Sequence, residues 1–382
     1  MTQRNYLIGE LCSIVKGTYP TLKTEPGEYP LVVTAEQRRS ASTFQLEGPA
    51  VCVPLISSTG HGNAALHRVH YQEGKFALAN LLVALLPKDS SLCDAKYLYH
   101  LLMAKKDEYF VPLMLGTANV SLKERDIAGV RVSLPPLSEQ RRIVARIEEL
   151  AAKIDEARGL RTQAIEEAEL LLAAILRETR KSLLQSKHRR QTLGELTQVT
   201  SGGTPSREIS AYWNGDIPWI KTGELLDGDI YEADERVTQE GLENSSAKVF
   251  PPNTVLIALY GQGQTRGRTG RLMIEATTNQ ACCAILPTPR ILEPRYTQYW
   301  LRSLYYEMRE QNYGGAQPNW SGKMIKNIEI TLPSLPEQRR IIKYLDTLQS
   351  NFCSLKHLQA ETATELDALM PAILDRAFKG EL

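Results

Sequence analysis

The sequence predicts an α+β fold in which two mixed α/β domains, copies of one plan, are joined by two long helices pairing as an antiparallel coiled coil. The first observation is a repeat, because residues 134–143 read LPPLSEQRRI and residues 332–341 read LPSLPEQRRI. The second is that each copy opens a long segment with one apolar stripe and few helix-breaking residues. We predict four segments, at 1–135, 136–187, 188–333 and 334–382.

Length and composition indicate a soluble protein of more than one domain. The chain has 382 residues, 42% hydrophobic and 23% charged, and its net charge of +1 argues against a non-specific nucleic-acid coat. No apolar run reaches the ~18 residues of a membrane span, and we predict a cytoplasmic location. The six cysteines form no C-x-x-C pair and are predicted to be reduced. His61, His67 and His70 lack acidic or cysteine companions, so no metal site is predicted.

The first domain is predicted from its strand-like runs and from short strings that the second domain repeats. The string GEL at 9–11 recurs at 194–196. Apolar, β-branched runs bounded by turn residues predict strands. These lie at 29–37, 50–58, 76–87 and 130–134. An amphipathic helix is predicted at 95–102.

The first long helix is predicted from apolar residues that alternate in steps of four and three, which form a narrow stripe on a helix. The predicted stripe consists of Ile143, Ile147, Leu150, Ile154, Leu171 and Ile175. Arg161 interrupts it with a polar group. At ~1.5 Å per residue, such a helix is about 60–70 Å long.

The second domain and helix repeat the order of the first. Strands are predicted at 217–225, 254–261, 281–287 and 328–332, and a helix at 294–301. Trp219 is expected in the core. The second stripe, offset by 198 residues, consists of Ile341, Leu345, Leu348, Phe352, Leu366, Leu369 and Ile373. Pro371 is expected to kink this helix or end its regular part, because proline removes a backbone donor.

A long helix with one apolar stripe needs a partner that covers the stripe. The other copy within the chain is the simplest partner, and antiparallel pairing would then place a globular domain at each end of the pair. Pairing with the helices of another subunit is the alternative.

The usual sequence signatures of catalysis are missing. The chain contains no G-x-x-x-x-G-K-[ST] string for an ATPase, no G-x-S-x-G for a serine hydrolase and no [DN]-P-P-[YFW] loop of an amino-methyltransferase. A protein that binds without catalysing is therefore predicted.

Binding residues are predicted in a glycine-bearing loop that follows a hydrophobic strand in each half, at 57–70 and 259–271. Glycine lets a backbone approach a ligand closely, and the polar side chains there can donate to base edges or phosphates. Residues near each domain start are further candidates for phosphate contacts. The predicted DNA-binding residues are Lys16, Thr18, His61, Asn63, His67, Arg68, Arg207, Lys221, Gln262, Gln264, Arg266, Arg268 and Arg271. Solvated hairpin turns with surface arginines are the alternative.

The doubled LP-x-L-x-EQRRI string with its matched helices resembles the specificity subunits of type I restriction–modification systems. The strings GEL…GGTP, YWNGDIPWIKTGEL and TNQACCAILP in the second half carry the same resemblance. It covers essentially the whole chain, although residues 1–135 match mostly at their edges. The resemblance implies that each globular domain is a target-recognition domain reading one half of a bipartite, asymmetric DNA target. The helix pair would set the spacing, and the chain itself would supply no catalytic residue and bind no cofactor.

The resemblance also implies partners. These are double-stranded DNA, two copies of a modification subunit that methylates adenine N6 with S-adenosylmethionine, and restriction subunits that use ATP and Mg²⁺. Two identical partners need two equivalent docking surfaces, which explains why the string is written twice. Arg141, Arg142, Arg339 and Arg340 are the candidate docking residues, unless they are simply solvated. The competing function is a non-catalytic coiled-coil adaptor whose globular ends bind proteins.

Overall fold

The computed structural model describes residues 4–59, 63–116, 120–261, 263–310 and 320–382. They form two units, Met1–Arg161 with Ala360–Leu382, and Thr162–Gln359. Each unit contains one globular domain and one part of each long helix. Each long helix therefore packs partly in one unit and partly in the other.

The first domain combines two four-stranded sheets and a short strand pair with helices. Its elements are β1 (Arg4–Leu7), α1 (Ile8–Leu11), β2 (Cys12–Lys16), β3 (Tyr29–Val32), β4 (Arg39–Ala41), β5 (Leu46–Glu47), β6 (Ala50–Pro54), β7 (His70–Gln72), β8 (Lys75–Leu78), β9 (Leu82–Pro87), α2 (Ala95–Tyr109), a 3₁₀ turn (Val111–Leu113), α3 (Glu124–Ala128) and β10 (Arg131–Leu134). One sheet has the order β2-β9-β6-β7 and is antiparallel; the other has the order β4-β3-β8-β5, with β3 and β8 parallel. The first long helix, α4 (Leu137–Gln185), follows.

The second domain repeats this order. Its elements are β11 (Arg189–Thr192), α5 (Leu193–Leu196), β12 (Val199–Ser201), a 3₁₀ turn (Ser210–Tyr212), β13 (Trp213–Ile220), a 3₁₀ turn (Thr222–Glu224), β14 (Asp229–Ile230), β15 (Glu235–Val237), α6 (Gln239–Glu243), β16 (Val255–Ala258), β17 (Thr269–Leu272), β18 (Thr277–Thr278), β19 (Cys282–Ile285), α7 (Pro294–Ser303), α8 (Tyr305–Glu310), α9 (Gly322–Lys326) and β20 (Glu329–Leu332). Its sheets have the orders β12-β19-β16-β17-β14 and β15-β13-β18. The second long helix is α10 (Leu335–Lys379).

The strand pairings show that the domains share one frame. The first strand of each domain pairs antiparallel with the last, β1 with β10 and β11 with β20. The strands β3 and β13 each pair in parallel with a later strand, β8 and β18. The predicted duplication of a mixed α/β plan is therefore confirmed.

The repeated GEL string forms a short capped helix in both domains. The backbone N–H of Leu7 donates to Glu10 Oε2 at 2.8 Å, and that of Thr192 donates to Glu195 Oε2 at 2.9 Å. These bonds satisfy a donor that a helix start otherwise leaves unpaired. The glutamate is thus repeated because it begins the helix that follows the first strand.

Within the first unit, the two long helices run antiparallel. Ile143 and Ile147 near the start of α4 share a buried cluster with Leu374 and Ala377 near the end of α10. Further along α4, an ion pair joins Arg158 to the α10 residue Asp367 (Nη2–Oδ1 2.7 Å).

The second unit contains the complementary helix parts, which also run antiparallel. Leu172 and Leu176 of α4 pack with Leu345 of α10. The α10 residue Lys356 pairs with Glu169 of α4 at 3.0 Å. The partner of each stripe is thus the other helix of the same chain, as predicted.

Part of the predicted stripe is wrong. Leu171 is 62% exposed and Leu369 is 43% exposed, whereas Leu172 is 8% exposed. Ile143, Ile147, Ile154 and Leu345 are buried, and Leu150, Ile175, Ile341, Leu348, Phe352, Leu366 and Ile373 are half-buried. Steps of four and three average 3.5 residues, whereas a helical turn has 3.6, so a stripe extended by that rule drifts from the covered face.

Pro371 does not end the second helix, which continues to Lys379. Among the described residues, no helix is long and apolar enough to cross a membrane.

Candidate nucleic-acid interface

Loops from separate parts of the second domain meet at one end of its larger sheet. The backbone N–H of Gly203 donates to Thr278 O at 2.8 Å, and that of Leu259 donates to Ala281 O at 2.8 Å. A Cβ on Gly202 would lie 2.2 Å from Thr278 O, so only glycine allows this approach. We call residues 201–207, 259–261 with 263–264, and 279–281 the second loop edge.

The first domain builds the same arrangement from equivalent loops. The N–H of Leu55 donates to Leu81 O at 2.8 Å, and that of Asn80 donates to Tyr19 O at 2.9 Å. A Cβ on Gly17 would lie 2.0 Å from the carbonyl oxygen of Ala79. We call residues 16–19, 55–59 and 79–81 the first loop edge.

Two predicted residues, Lys16 and Thr18, lie on the first loop edge. Lys16 is about half exposed, and its Nζ is 3.5 Å from Glu124 Oε1. The Thr18 hydroxyl donates to Gln45 Oε1 at 3.1 Å, while Gln45 Nε2 donates to Lys16 O at 2.7 Å. Gln45 therefore fixes this loop and leaves the lysine ammonium at the surface.

The predicted loop at 57–70 is only partly described, and His61 lies outside the described residues. The carbonyl oxygen of Asn63 accepts from Ser57 Oγ at 2.6 Å, and the N–H of His67 donates to Ser58 Oγ at 3.0 Å. The side chains of Asn63 and His67 are exposed. Arg68 pairs with Glu36 at 3.1 Å.

His70, which follows this loop, is not available to a ligand, because only 5% of it is exposed. Its Nδ1 lies 3.1 Å from Arg38 Nη1. Burial, reinforced by the Arg38 charge, lowers the pKa of His70 to about 4. The histidine is therefore a neutral core residue at physiological pH.

Arg207 is the cation of the described second loop edge, and two tryptophans and a glutamate hold it in place. Its guanidinium carbon lies 3.7 Å from the ring centroid of Trp213 and 4.8 Å from that of Trp219. It also pairs with Glu235, which Lys221 contacts at 2.9 Å. The hydrogen bond from Arg207 lowers the pKa of the Glu235 carboxyl. The arginine side chain remains 52% exposed, so it presents an oriented donor to a ligand.

Gln280 also lies on this edge, although no sequence pattern singled it out. Its Oε1 accepts a hydrogen bond from the Thr204 hydroxyl. The residue is exposed. With the oxygen held in this way, the Nε2 donors are the part of the amide that can face a ligand. Its position beside the loop that carries Arg207 was not evident, because residues 204 and 280 are far apart in sequence.

Two of the predicted arginines are engaged within the domain. Arg268 Nη1 donates to Asp227 Oδ2 at 2.6 Å. Arg271 forms two bonds to Asp229, from Nε at 2.8 Å and from Nη2 at 2.7 Å. Reaching DNA would require breaking these part-buried pairs. We therefore assign both arginines to bracing the domain, in place of the predicted DNA contacts.

The rest of that loop is held close to the domain. Gln264 O accepts from the Tyr305 hydroxyl at 2.9 Å, and its Oε1 accepts from Arg268 Nη2 at 3.2 Å. Arg266 is half-buried. Gln262 lies outside the described residues.

The repeated EQRRI string contains a buried amide that the sequence reasoning missed. Gln140 and Gln338 are both fully buried. Gln140 Oε1 accepts from the N–H of Asp94 at 2.9 Å, and its Nε2 donates to Leu92 O and Pro135 O, both at 2.9 Å.

Gln338 makes the same bonds in the second unit, accepting from the N–H of Glu293 at 2.9 Å and donating to Ile291 O at 3.1 Å and Pro333 O at 3.0 Å. The sequence signal that could have identified this buried amide is the glutamine itself, which occurs at the same place in both EQRRI strings.

The arginines of the same string lie at the surface. Arg142 forms two 2.8 Å bonds to Glu139, and Arg339 pairs with Glu293 at 2.7 Å. Arg340 lies 3.8 Å from Glu337, and Arg141 is exposed. All four can contribute to a docking surface, and that role stays a prediction.

Residues 4–167 and 188–363 both match the family described as Type I restriction modification DNA specificity domain. The Type I restriction enzyme MjaIX specificity subunit of Methanocaldococcus jannaschii is 28% identical over 182 residues, which cover 45% of this chain and 41% of that protein. The match thus spans about two fifths of that relative.

Two solved structures are similar over the whole chain. One, from work on complex assembly and conformational transition of the type I R-M system, has a TM-score of 0.68 at 25% identity and covers 100% of this chain and 98% of its own. The other is the HsdS subunit from Thermoanaerobacter tengcongensis, with a TM-score of 0.57, 24% identity and coverage of 100% and 97%. At 24% identity, this second similarity shows a shared fold alone.

Proposed function

Because the chain belongs to the family of type I restriction–modification DNA specificity domains, we propose that it is the sequence-reading subunit of such a system. Each domain reads one half of a bipartite, asymmetric DNA target. The chain contributes recognition and no catalytic residue, and it acts in the cytoplasm.

One observation carries the proposal: the same loop edge is built twice on one frame but bears different side chains. The first edge presents Lys16 and Asn80, whereas the second presents Arg207 and Gln280. Arginine and glutamine donors suit base-edge acceptors in the major groove, and lysine suits phosphates. A shared frame with different polar groups is what two readers of different sequences require.

The long helices supply the spacing in this proposal. The helix α4 has 49 residues and α10 has 45, which gives each a length of about 70 Å at ~1.5 Å per residue. Within each unit the two helices pack antiparallel and bury apolar residues against each other, which suits the spacer role.

The proposed partners are two modification subunits and the restriction subunits. The duplicated helix starts offer two equivalent surfaces, on which Arg141, Arg142, Arg339 and Arg340 are the candidate contacts. The modification subunits would use S-adenosylmethionine to methylate adenine N6, and the restriction subunits would use ATP and Mg²⁺. These cofactors would be bound by the partners.

A methylation map of a host carrying this gene and its cognate modification gene tests the proposal. We expect N6-methyladenine at an asymmetric, interrupted motif that disappears when this gene is deleted. A stable complex with the modification subunit but no such motif would contradict the proposal. In that case the coiled-coil adaptor would be the better account, and DNA affinity should show little dependence on salt.

A further inference from the structure

We propose that Gln140 and Gln338 are positioning residues that fix the angle of each recognition domain on its long helix, and so set the gap accepted between the half-sites. This inference rests on the proposed function and extends it to named residues. It also gives the repeated EQRRI string a role inside the chain, besides any role in docking partners.

Each glutamine connects three segments of its own unit. Gln140, in the first turns of α4, bonds to the segment before that helix at Pro135 and to the loop that leads into α2 at Leu92 and Asp94. Asp94 is the N-cap of α2, so the glutamine holds the start of one helix against the start of another. A single side chain therefore joins the recognition domain to the long helix.

The second unit repeats this connection. Gln338 bonds to Pro333, before α10, and to Ile291 and Glu293, which lead into α7. Glu293 is the N-cap of α7. The equivalent contacts in two diverged domains show that the junction has the same geometry in both halves. The loop edges share a frame as well, but they differ in their side chains.

Only an amide of this length satisfies the junction. One N–H and two carbonyl groups face the side chain, which must accept one hydrogen bond and donate two. A carboxylate would place oxygen against the two carbonyls, and an apolar side chain would leave all three groups unpaired. Because the glutamines are fully buried, water cannot take over these bonds without opening the junction.

A second connection lies beside each glutamine. In the first unit, Lys96 of α2 pairs with Glu148 of α4 at 2.7 Å. In the second, Arg295 of α7 pairs with Asp346 of α10 at 2.9 Å. The glutamine and the ion pair contact the long helix about two turns apart, so together they oppose rotation of the domain on the helix.

A small rotation has a large effect on the DNA gap. A domain of this size is about 30 Å across. A rotation of roughly 7° about the junction would shift its far edge by ~3.4 Å, the rise of one base pair. Loosening the junction should therefore admit targets whose gap is one base pair longer or shorter, while the bases read in each half stay the same.

The test is the methylation map of hosts carrying full-length Gln140→Met or Gln338→Met with the cognate modification subunit. Methionine keeps an unbranched side chain of similar length but cannot make the three bonds. We expect methylation at sites with gaps one base pair from the native length to rise at least about tenfold, because the junction loses all three bonds to the amide. Both half-site sequences should stay unchanged.

Gln163→Met is the matched control, because Gln163 is an exposed α4 residue that bonds to Glu167 on its own helix. It should leave the gap unchanged. Folding is checked by thermal melting and by co-purification with the modification subunit. If folded Gln140→Met and Gln338→Met variants methylate only the native gap, the inference is overturned.

If neither variant accumulates as folded protein, Lys96→Met decides the question, since that residue is at the surface. Added gap lengths with Lys96→Met support the inference, and an unchanged gap overturns it. Absence of any bipartite motif with the wild-type chain would instead reject the proposed function itself.

Discussion

Replacing Arg271 with methionine should destabilise the second unit without weakening the contacts between the protein and DNA phosphates. The sequence suggested a DNA contact for this arginine, but the structure pairs it with Asp229 through bonds of 2.8 and 2.7 Å. The side chains are 19% and 20% exposed. The substitution thus separates a bracing role from a DNA-binding role.

The magnitude follows from the pair. Hydrogen bonds between charged groups contribute about 1.5–3 kcal/mol each when buried. Arg295 still contacts Asp229 at 3.1 Å and limits the charge left unpaired. Because Arg295 remains and the pair is partly exposed, we expect the free energy of unfolding to fall by about 2–3 kcal/mol. For a unit of roughly 200 residues this lowers the melting temperature by roughly 5–10 °C.

Calorimetry of the full-length chain measures the stability change, and DNA affinity between 50 and 200 mM salt measures the phosphate contacts. Lys16→Met is the comparison, because Lys16 is about half exposed on the first loop edge and is the proposed phosphate contact there. It should reduce the salt slope by about one, whereas Arg271→Met should not change it. A melting temperature within about 2 °C of wild type together with a reduced slope for Arg271→Met would refute the reasoning.

Two further predictions concern acid stability and the helix pair. Burial lowers the pKa of both His70 and His100 to about 4 from an ordinary value of 6.5. Below pH 6.5 the unfolded chain therefore binds protons that the folded chain does not, and the free energy of unfolding falls by about 3 kcal/mol per histidine down to pH 4. Urea denaturation at several pH values should show this fall in the free energy of unfolding. The fall should be smaller in a variant with His70→Gln and His100→Gln. Leu172→Ala should lower the free energy of unfolding by about 2–4 kcal/mol, and Leu171→Ala by less than about 0.5 kcal/mol. Equal effects would contradict the assignment of Leu172, and not Leu171, to the covered face.

Periodic features of the fold could be predicted from the sequence. The repeated string and the apolar steps depend on neighbours along the chain, and they led to the two helices and the duplicated domain frame. The alternation of steps of four and three failed at Leu171, because packing against the other helix decides which face is covered. This far from the helix start, the covered residue is Leu172.

Contacts between distant residues could not be predicted in the same way. Arg268 and Arg271 were chosen for their loop, but their carboxylate partners lie 41 and 42 residues away in sequence. No local pattern links Asp227 or Asp229 to them. The same limit hid Gln280, which the fold brings beside the loop that carries Arg207.

Gln140 and Gln338 illustrate a signal that was present but read in another way. Their repetition was attributed to partner docking, together with the neighbouring arginines. Their burial becomes evident only when the loops before α2 and α7 are placed against the long helices. Repetition in the sequence thus identifies residues that both halves need, while the reason depends on tertiary contacts.

The most direct test of the central claim, that each domain reads its own half of the target, uses a full-length chain with alanine at Thr204, Arg207 and Gln280. Binding by its complex with the modification subunit is compared for the mapped target and for duplexes with one half scrambled. We expect discrimination against scrambling to be lost for one half and kept for the other. Loss for both halves, or for neither, would contradict the account.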